Sequence, residues 1–345
     1  MSASGRTSVV KMMATALYRA GGVQLLAAAA DRLVLGPGYV PRPRTPAFPI
    51  LIYHRVNEER DPFFPALPTE VFEQQMAYVA RSYRVLTVED LVDRARRGAV
   101  PRNALAITFD DGYRDNLTHA APILARHGLP ATIFLATGFI GTAEVPWWDR
   151  LATGLKATLA AAFRAPWGET IGLAGAPERV RALGQLLRHF KALPEHTARR
   201  CLEETLETLG VTGRQCFKNE MLSWDDVHAL TGLGFSIGAH TVQHPILSRV
   251  TVDRAREEIV GSRKMIEVAC GRPPLAFAYP NGGPGDYTET VKQLVRQAAF
   301  TCAVTTRMGL NTRDTSPWEL RRGGPWEHDL PTFALKLAWY RMSLS

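Results

Sequence analysis

The chain has 345 residues, of which 46% are hydrophobic and 21% charged, and its formal net charge is +8. These proportions are typical of a globular protein with a buried core, and they exclude a largely disordered chain. The positive charge favours an acidic partner such as an anionic glycan or a membrane face, but no nucleic-acid-binding motif accompanies it. The four cysteines form no CxxC pair. Neither a thiolate zinc site nor a disulfide framework is therefore predicted.

Basic and apolar residues alternate in the first 47 residues, and this pattern predicts an amphipathic N-terminal helix followed by a linker. The longest uncharged stretch, residues 20–30, is too short to span a bilayer, and no cleavable signal peptide is apparent. The helix is expected either to pack on the main domain or to rest on a membrane surface. We therefore expect a cytoplasmic protein, in the second case peripheral on the inner membrane. The proline-rich stretch GPGYVPRPRTPAFP then leads into the main domain at residue 48.

Strand and helix patterns alternate from residue 48 onward. The alternation predicts a parallel sheet with helical crossovers, either open or closed into a barrel. Residues 143–220 are alanine-rich and helical in pattern, so we predict a helical insertion within one α/β domain of residues 48–345. The strand candidates are PILIYHRV, ALAITFDDG, PATIFLATGFIG, GFSIGAH, LAFAYP and FTCAVTT.

Two adjacent carboxylates, Asp110 and Asp111, follow one of these strands directly. An ordinary Asp-Gly turn would explain them, but the carboxyl ends of parallel strands are also where active sites lie. His240 and His244, in GAHTVQHP, follow another strand, and they too have an ordinary interpretation as solvated or core histidines. Two imidazoles and a carboxylate form a common zinc site that leaves a fourth position open. The coincidence of both motifs at strand ends favours a metal site.

The segments TFDDGYRDN, HTVQHP, YHRV, SWDDV and AYPNGG together resemble the polysaccharide deacetylase superfamily, the chitooligosaccharide deacetylase-like carbohydrate esterases. The resemblance spans about residues 50–322 apart from the insertion. It implies a distorted (β/α)7 barrel and metal-dependent removal of N-acetyl groups from amino sugars. It also implies that Asp110 is the catalytic base and that Asp111, His240 and His244 bind one divalent metal ion. Zinc is the first choice for that ion, with nickel and cobalt as alternatives.

A general acid must protonate the departing amine. His54 ends the first strand, and this placement resembles the circularly permuted branch that deacetylates poly-β-1,6-N-acetylglucosamine, in which the acid comes from the N-terminal strand. The resemblance implies that His54 is the acid, and an ordinary pKa near 6.5 suits the role. A structural role for His54 is the plainer alternative, and His328 is the next candidate for the acid.

The sequence departs from the family pattern at one point. Many members carry an arginine that orients the base in the segment matching FAYPNGG, where this chain has Ala278. We predict that Arg321 in WELRRGG replaces it, because a guanidinium suits a carboxylate. Arg322 is nearly as plausible, and a surface ion pair is the ordinary alternative.

Several side chains are candidates for the sugar site, where aromatic faces pack against sugar rings, although a place in the core would explain them equally well. A backbone N–H near Tyr113 is also a candidate oxyanion donor. Asp225 and Asp226 in SWDDV are better explained as a helix N-terminus than as a second catalytic pair. The substrate-site candidates are Tyr113, Trp224, Tyr279 and Asn281.

The expected substrate is an N-acetylated glycan, or a lipid-linked or nucleotide-linked amino sugar, used in exopolysaccharide or cell-envelope glycan biosynthesis. An O-acetyl esterase and a non-catalytic glycan-binding protein are the alternatives. The sequence favours an enzyme, because a binding protein has no need for Asp110 beside the metal ligand Asp111. The oligomeric state is left open by the sequence.

Overall fold

The computed structural model describes residues 15, 16, 18, 47–211, 217–324 and 327–342. The predicted N-terminal helix, its linker and the membrane contact fall largely outside these residues and stay predictions. Within the described residues, Thr15, Ala16 and Tyr18 are helical, and the Tyr18 ring lies 6.2 Å from the Tyr78 ring. No described helix is both long enough and apolar enough to cross a membrane.

Six strands pair in the order β1-β3-β4-β7-β8-β9, the short β2 pairs with β3, and every pair in this sheet is parallel. All six residues of β3 are buried, as expected of a parallel sheet that is covered on both faces. The strands are β1 Ile50–Tyr53, β2 Arg84–Val85, β3 Ala104–Phe109, β4 Thr132–Leu135, β5 Ala162–Arg164, β6 Thr170–Gly172, β7 Ser236–Ala239, β8 Ala276–Ala278 and β9 Cys302–Val304.

Most of the helices connect consecutive parallel strands. Ser223 begins one of them through a capping box with Asp226, which confirms that the SWDDV aspartates mark a helix start. The helices of the described chain are α1 Thr69–Ser82, α2 Val88–Arg96, α3 Ala121–Arg126, α4 Trp147–Ala157, α5 Ala176–Ala192, α6 Glu195–Thr208, α7 Trp224–Gly232, α8 Val252–Cys270, α9 Glu289–Gln297 and α10 Leu330–Met342.

An extended segment, residues 320–323, lies between β9 and β1. Leu320 N–H donates to the Ala303 carbonyl at 3.0 Å, and Gly323 N–H donates to the Ile50 carbonyl at 3.1 Å. This segment therefore takes the place of a further strand between β9 and β1, the two ends of the curled sheet. The predicted α/β class and distorted (β/α) barrel are confirmed.

The region predicted as a helical insertion contains helices α4, α5 and α6. It also contains an antiparallel hairpin of β5 and β6, which the sequence analysis missed. Its apolar side chains, among them Leu151, Leu186 and Leu202, form a hydrophobic cluster separate from the clusters that cover the sheet. The insertion is thus a small packed unit of its own, joined to the barrel next to the strand ends.

Candidate active site

The backbone turns directly after β3, between the two adjacent aspartates Asp110 and Asp111. Asp110 N–H still donates to the Tyr53 carbonyl, at 3.0 Å, so this residue continues the strand. Asp111 and Gly112 then adopt positive φ angles of 73° and 87°. The φ of Gly112 favours glycine, and a Cβ there would also lie 2.8 Å from Leu135 Cδ2, so that this side chain would have to move.

Asp110 is held by a buried arginine. Arg322 donates from Nη1 and Nη2 to the two carboxylate oxygens at 2.6 and 2.7 Å, and neither side chain is more than 3% exposed. Further donations from Arg322, to the Thr305 carbonyl and the Thr108 hydroxyl, fix the guanidinium. Burial by itself would raise the pKa of Asp110, but the charge and hydrogen bonds of Arg322, together with the neighbouring His240 and His54, outweigh burial and hold that pKa below its usual range. Asp110 is therefore ionised at neutral pH.

The prediction that Arg321 orients Asp110 is wrong. Arg321 is exposed, whereas its neighbour Arg322, the alternative in the sequence analysis, is fully buried and makes the bidentate contact. Successive residues of an extended segment point to opposite sides, so only one of the two arginines can face the barrel interior.

Asp111, His240 and His244 come together as a possible metal site. The two Nε2 atoms are 3.1 Å apart, and each lies 3.6 Å from Asp111 Oδ1. Tetrahedral zinc with bonds of about 2.0–2.2 Å puts neighbouring ligand atoms about 3.3–3.6 Å apart. The three donor atoms therefore fit a single zinc-sized ion with little rearrangement.

The orientation of His240 suits a metal ligand. Its Nδ1 lies 2.8 Å from the Ala278 carbonyl, an arrangement that places the proton on Nδ1 and leaves Nε2 free. Burial lowers the pKa of His240 to about 4, and burial likewise holds the pKa of His244 well below its usual value. Both imidazoles are therefore neutral at pH 7, the form that binds a metal. Burial and the neighbouring Asp110 raise the pKa of Asp111, which a bound cation would counteract.

The loop that carries the two histidines is shaped by a buried glutamate on α8. Glu258 accepts from the N–H groups of Val242 and Gln243, each at 2.7 Å. Thr241 and His244 on either side of this contact have positive φ angles of 66° and 56°. Glu258 therefore stabilises a backbone conformation that few residues adopt unaided. The sequence analysis missed this residue.

His54 lies at the same end of the sheet as Asp110. Asn116 donates to the His54 carbonyl at 2.8 Å, and Asp115 accepts from Arg55 Nε at 2.8 Å and Asn57 Nδ2 at 2.9 Å. The Asp-Asn pair that ends TFDDGYRDN thus fixes the loop that bears His54. Desolvation by the surrounding protein lowers the pKa of His54, and the charge of Asp110 partly offsets this.

Tyr113 has a structural setting next to the metal site. Its hydroxyl lies 3.1 Å from both carboxylate oxygens of Asp149 and accepts from Trp148 Nε1 at 2.7 Å. The Trp148 ring in turn lies 4.7 Å from the His244 ring. Burial raises the pKa of Asp149 to about 7. Trp148 and Asp149 begin the insertion, so the insertion supports a metal-site histidine, a role the sequence analysis did not foresee.

Of the other three substrate-site candidates, only one lines the cavity next to His244. Tyr279 is fully buried, stacks on Tyr287 at 4.3 Å and donates to the Trp318 carbonyl, so the prediction that it lines the sugar site is wrong. Trp224 packs against the hydrophobic core beside Gly141 and does not line the cavity next to His244. Asn281 does line that cavity.

The fold and these motifs belong to a known family. The model of the polysaccharide deacetylase family matches residues 97–303, which is more than half of the chain. The chain belongs to the polysaccharide deacetylase family, and the resemblance seen in its motifs is confirmed. It is a hydrolase of the deacetylase class.

Individual relatives agree with this assignment. The Bacillus subtilis protein YxkH, named as a polysaccharide deacetylase, is 21% identical over 79% of this chain and 70% of its own length. A poly-β-1,6-N-acetyl-D-glucosamine N-deacetylase of Staphylococcus aureus is 31% identical over 71 residues, 20% of this chain and 24% of its own.

Solved structures support the fold. The Streptococcus pyogenes deacetylase PplD, in complex with acetate, matches with a TM-score of 0.55 at 18% identity, over 81% of this chain and 92% of that one. IcaB from Ammonifex degensii matches with a TM-score of 0.54 at 19% identity, over 85% of this chain and 98% of that one.

Proposed function

We propose that this deacetylase removes N-acetyl groups from amino sugars of a glycan or glycan precursor with the help of one divalent metal ion. The observation that carries the proposal is the fit of Asp111, His240 and His244 to one ion beside an ionised, buried Asp110. The ligand set favours zinc, while nickel and cobalt accept the same donors. A place in exopolysaccharide or envelope glycan biosynthesis is part of the proposal, supported by the S. aureus relative's name.

The chain's own groups divide the work of amide hydrolysis. When bound, the metal supplies a Lewis acid that activates water and polarises the acetyl carbonyl. Asp110 accepts a proton from the attacking water, and Arg322 keeps the carboxylate ionised and in place. The backbone N–H of Tyr113 is a candidate donor to the developing oxyanion. His54 donates a proton to the departing amine, so that the products are acetate and the free amino sugar.

Acetate release tests this function directly. We expect the purified protein with added zinc to release acetate from N-acetylglucosamine oligosaccharides and to stop when the metal is chelated. A parallel panel of O-acetylated glycans identifies an esterase. Release from the esters alone, or from neither panel with zinc, nickel or cobalt present, would reject N-deacetylation.

The role of His54 predicts a dependence on the leaving group. His54→Gln is expected to lower kcat about 10²-fold on an N-acetyl amino sugar, because an amine leaves poorly without a proton donor. The same variant should lose far less on p-nitrophenyl acetate, whose phenolate leaves unprotonated. Steady-state kinetics on both substrates check this, with His328→Gln as the matched control. Equal losses on the two substrates would assign His54 a structural role, and a loss confined to His328→Gln would transfer the acid role to that residue.

A further inference from the structure

A cavity lies between the insertion and the rim of the barrel and reaches the metal site. Its volume is about 210 Å³. The insertion contributes apolar side chains such as Trp147, Phe190 and Leu202, and the barrel contributes His244 and Asn281. A ligand in this cavity would therefore touch a metal-site histidine directly.

One cation of the cavity, Lys191, has a neutral side chain as its hydrogen-bond partner. Lys191, in the last turn of α5, donates from Nζ to Asn281 Oδ1 at 2.8 Å, and within the described residues it makes no ion pair. The nearby Asp286 already accepts from Asn281 and from Gly283 N–H, and Asp111 belongs to the metal site. The ammonium of Lys191 is thus held at the cavity by a neutral amide, and the carboxylates of Asp111 and Asp286 act on it from beyond ion-pair distance.

The arginines of the cavity wall differ from one another in whether they make an ion pair. Arg150 is neutralised by a two-point contact with Glu203 at 2.7 Å, and Arg199 pairs with Glu195 at 2.6 Å. Arg249, by comparison, is exposed and, like Lys191, makes no ion pair with any described residue. Of the cavity-lining cations in the described chain, Lys191 and Arg249 are therefore the two that make no ion pair, and a bound divalent ion would add positive charge beside Lys191.

We propose that this cavity binds the acidic part of the substrate, a carboxylate or phosphate group carried next to the N-acetylated sugar, and that Lys191 recognises it. The proposal rests on the proposed N-deacetylation and adds a substrate class to it. A cation that already has a fixed neutral partner loses little freedom when an anion arrives, so the charge-assisted contact is favourable. The apolar wall lowers the local dielectric and strengthens the same contact.

The test compares matched substrates. We expect the wild-type protein to release acetate with a higher kcat/KM from a disaccharide in which a uronic acid adjoins N-acetylglucosamine, or from N-acetylglucosamine 1-phosphate, than from neutral N,N′-diacetylchitobiose. The first substrate represents a carboxylate in a polymer and the second a phosphate-linked precursor, so the better of the two identifies the source of the anion. Raising the ionic strength should weaken the preference.

Variants of the lysine isolate its contribution. Lys191→Met is expected to reduce the preference for the acidic substrate about tenfold, mainly through KM, and Lys191→Arg to keep most of it. Lys264→Met, on the exposed face of α8 and outside the cavity lining, is the matched control. A wild-type protein without preference, or a Lys191→Met variant with the wild-type preference, would overturn the proposal.

Binding separates this proposal from the proposed reaction. Calorimetric titration of the wild-type protein and of Lys191→Met with the same sugars measures recognition without turnover when the metal has been removed. If no sugar releases acetate but acidic sugars still bind in a way that depends on Lys191, the result supports the recognition site and rejects N-deacetylation. If acetate is released and neither the rate nor the binding depends on Lys191, the result supports N-deacetylation and rejects the recognition site.

Discussion

Asp110→Asn is expected to lower kcat on N-acetyl amino sugars by about 10²–10⁴-fold while the protein keeps its metal. Asparagine preserves the size of the side chain but cannot accept the proton of the attacking water. The proposed metal ligands, Asp111 and the two histidines, are left in place by this change. Steady-state kinetics and elemental analysis of the same preparation measure both effects.

The same substitution should also destabilise the protein, because it leaves Arg322 fully buried without its counter-charge. Removing one partner of a buried ion pair typically costs about 3–5 kcal/mol. The double variant Asp110→Asn with Arg322→Met removes both charges, so we expect it to recover part of the stability and none of the activity. An inactive, well-folded double variant shows that the missing carboxylate, and not unfolding, stops the reaction.

The comparison is best made at pH 7. The folded-state pKa of Asp110 is depressed, so the ion pair contributes its full stability above the unfolded-state pKa of about 3.9 and loses it as the pH falls through the folded value. Asp225→Asn, in the exposed first turn of α7, is the matched control from the other Asp-Asp pair. Wild-type kcat in a metal-loaded Asp110→Asn variant would assign the base to another group.

The error at Arg321 shows where sequence reasoning reaches its limit. The motif WELRRGG offers two consecutive arginines, and which one faces the barrel depends on a register of one residue. That register is set by contacts of Leu320 with β9 and of Gly323 with β1, which join segments far apart in the chain. The chemical need for a guanidinium near Asp110 was predictable, but its position was not.

Local patterns predicted the sheet and the strand-end motifs because they are properties of short segments. The contribution of Ala278 could not be predicted in this way, since its side chain packs in the core like any small apolar residue and it is its backbone carbonyl that fixes the His240 ring. Tyr279, the next residue, was a plausible sugar ligand by type, yet its ring packs into the core against Tyr287. The insertion was predictable only as an interruption of the alternation. That it brings Trp148 to His244 and Lys191 to the cavity follows from the placement of its helices against the barrel.

His240→Ala is expected to reduce the metal content from about one ion per chain to almost none and to abolish acetate release. Two ligands would remain, and loss of an outer partner alone typically lowers metal affinity about 10–100-fold, so loss of a direct ligand should cost more. Elemental analysis of purified protein gives the first result without any assay of activity. His228→Ala, an exposed histidine of α7 outside the metal site, is the matched control and should keep its metal.

Thermal unfolding supplies an independent measure of the same site. A metal that binds only the folded protein stabilises it by about 2.7 kcal/mol when its free concentration is 100 times Kd. Removing the metal should therefore lower the Tm of the wild-type protein and of His228→Ala, and should leave the Tm of His240→Ala unchanged. Metal contents that are equal in wild type and His240→Ala, together with equal shifts of Tm on chelation, would show that the ion is held elsewhere. In that case the 3.1 Å approach of His240 to His244 would have to be explained as a contact between two buried neutral imidazoles.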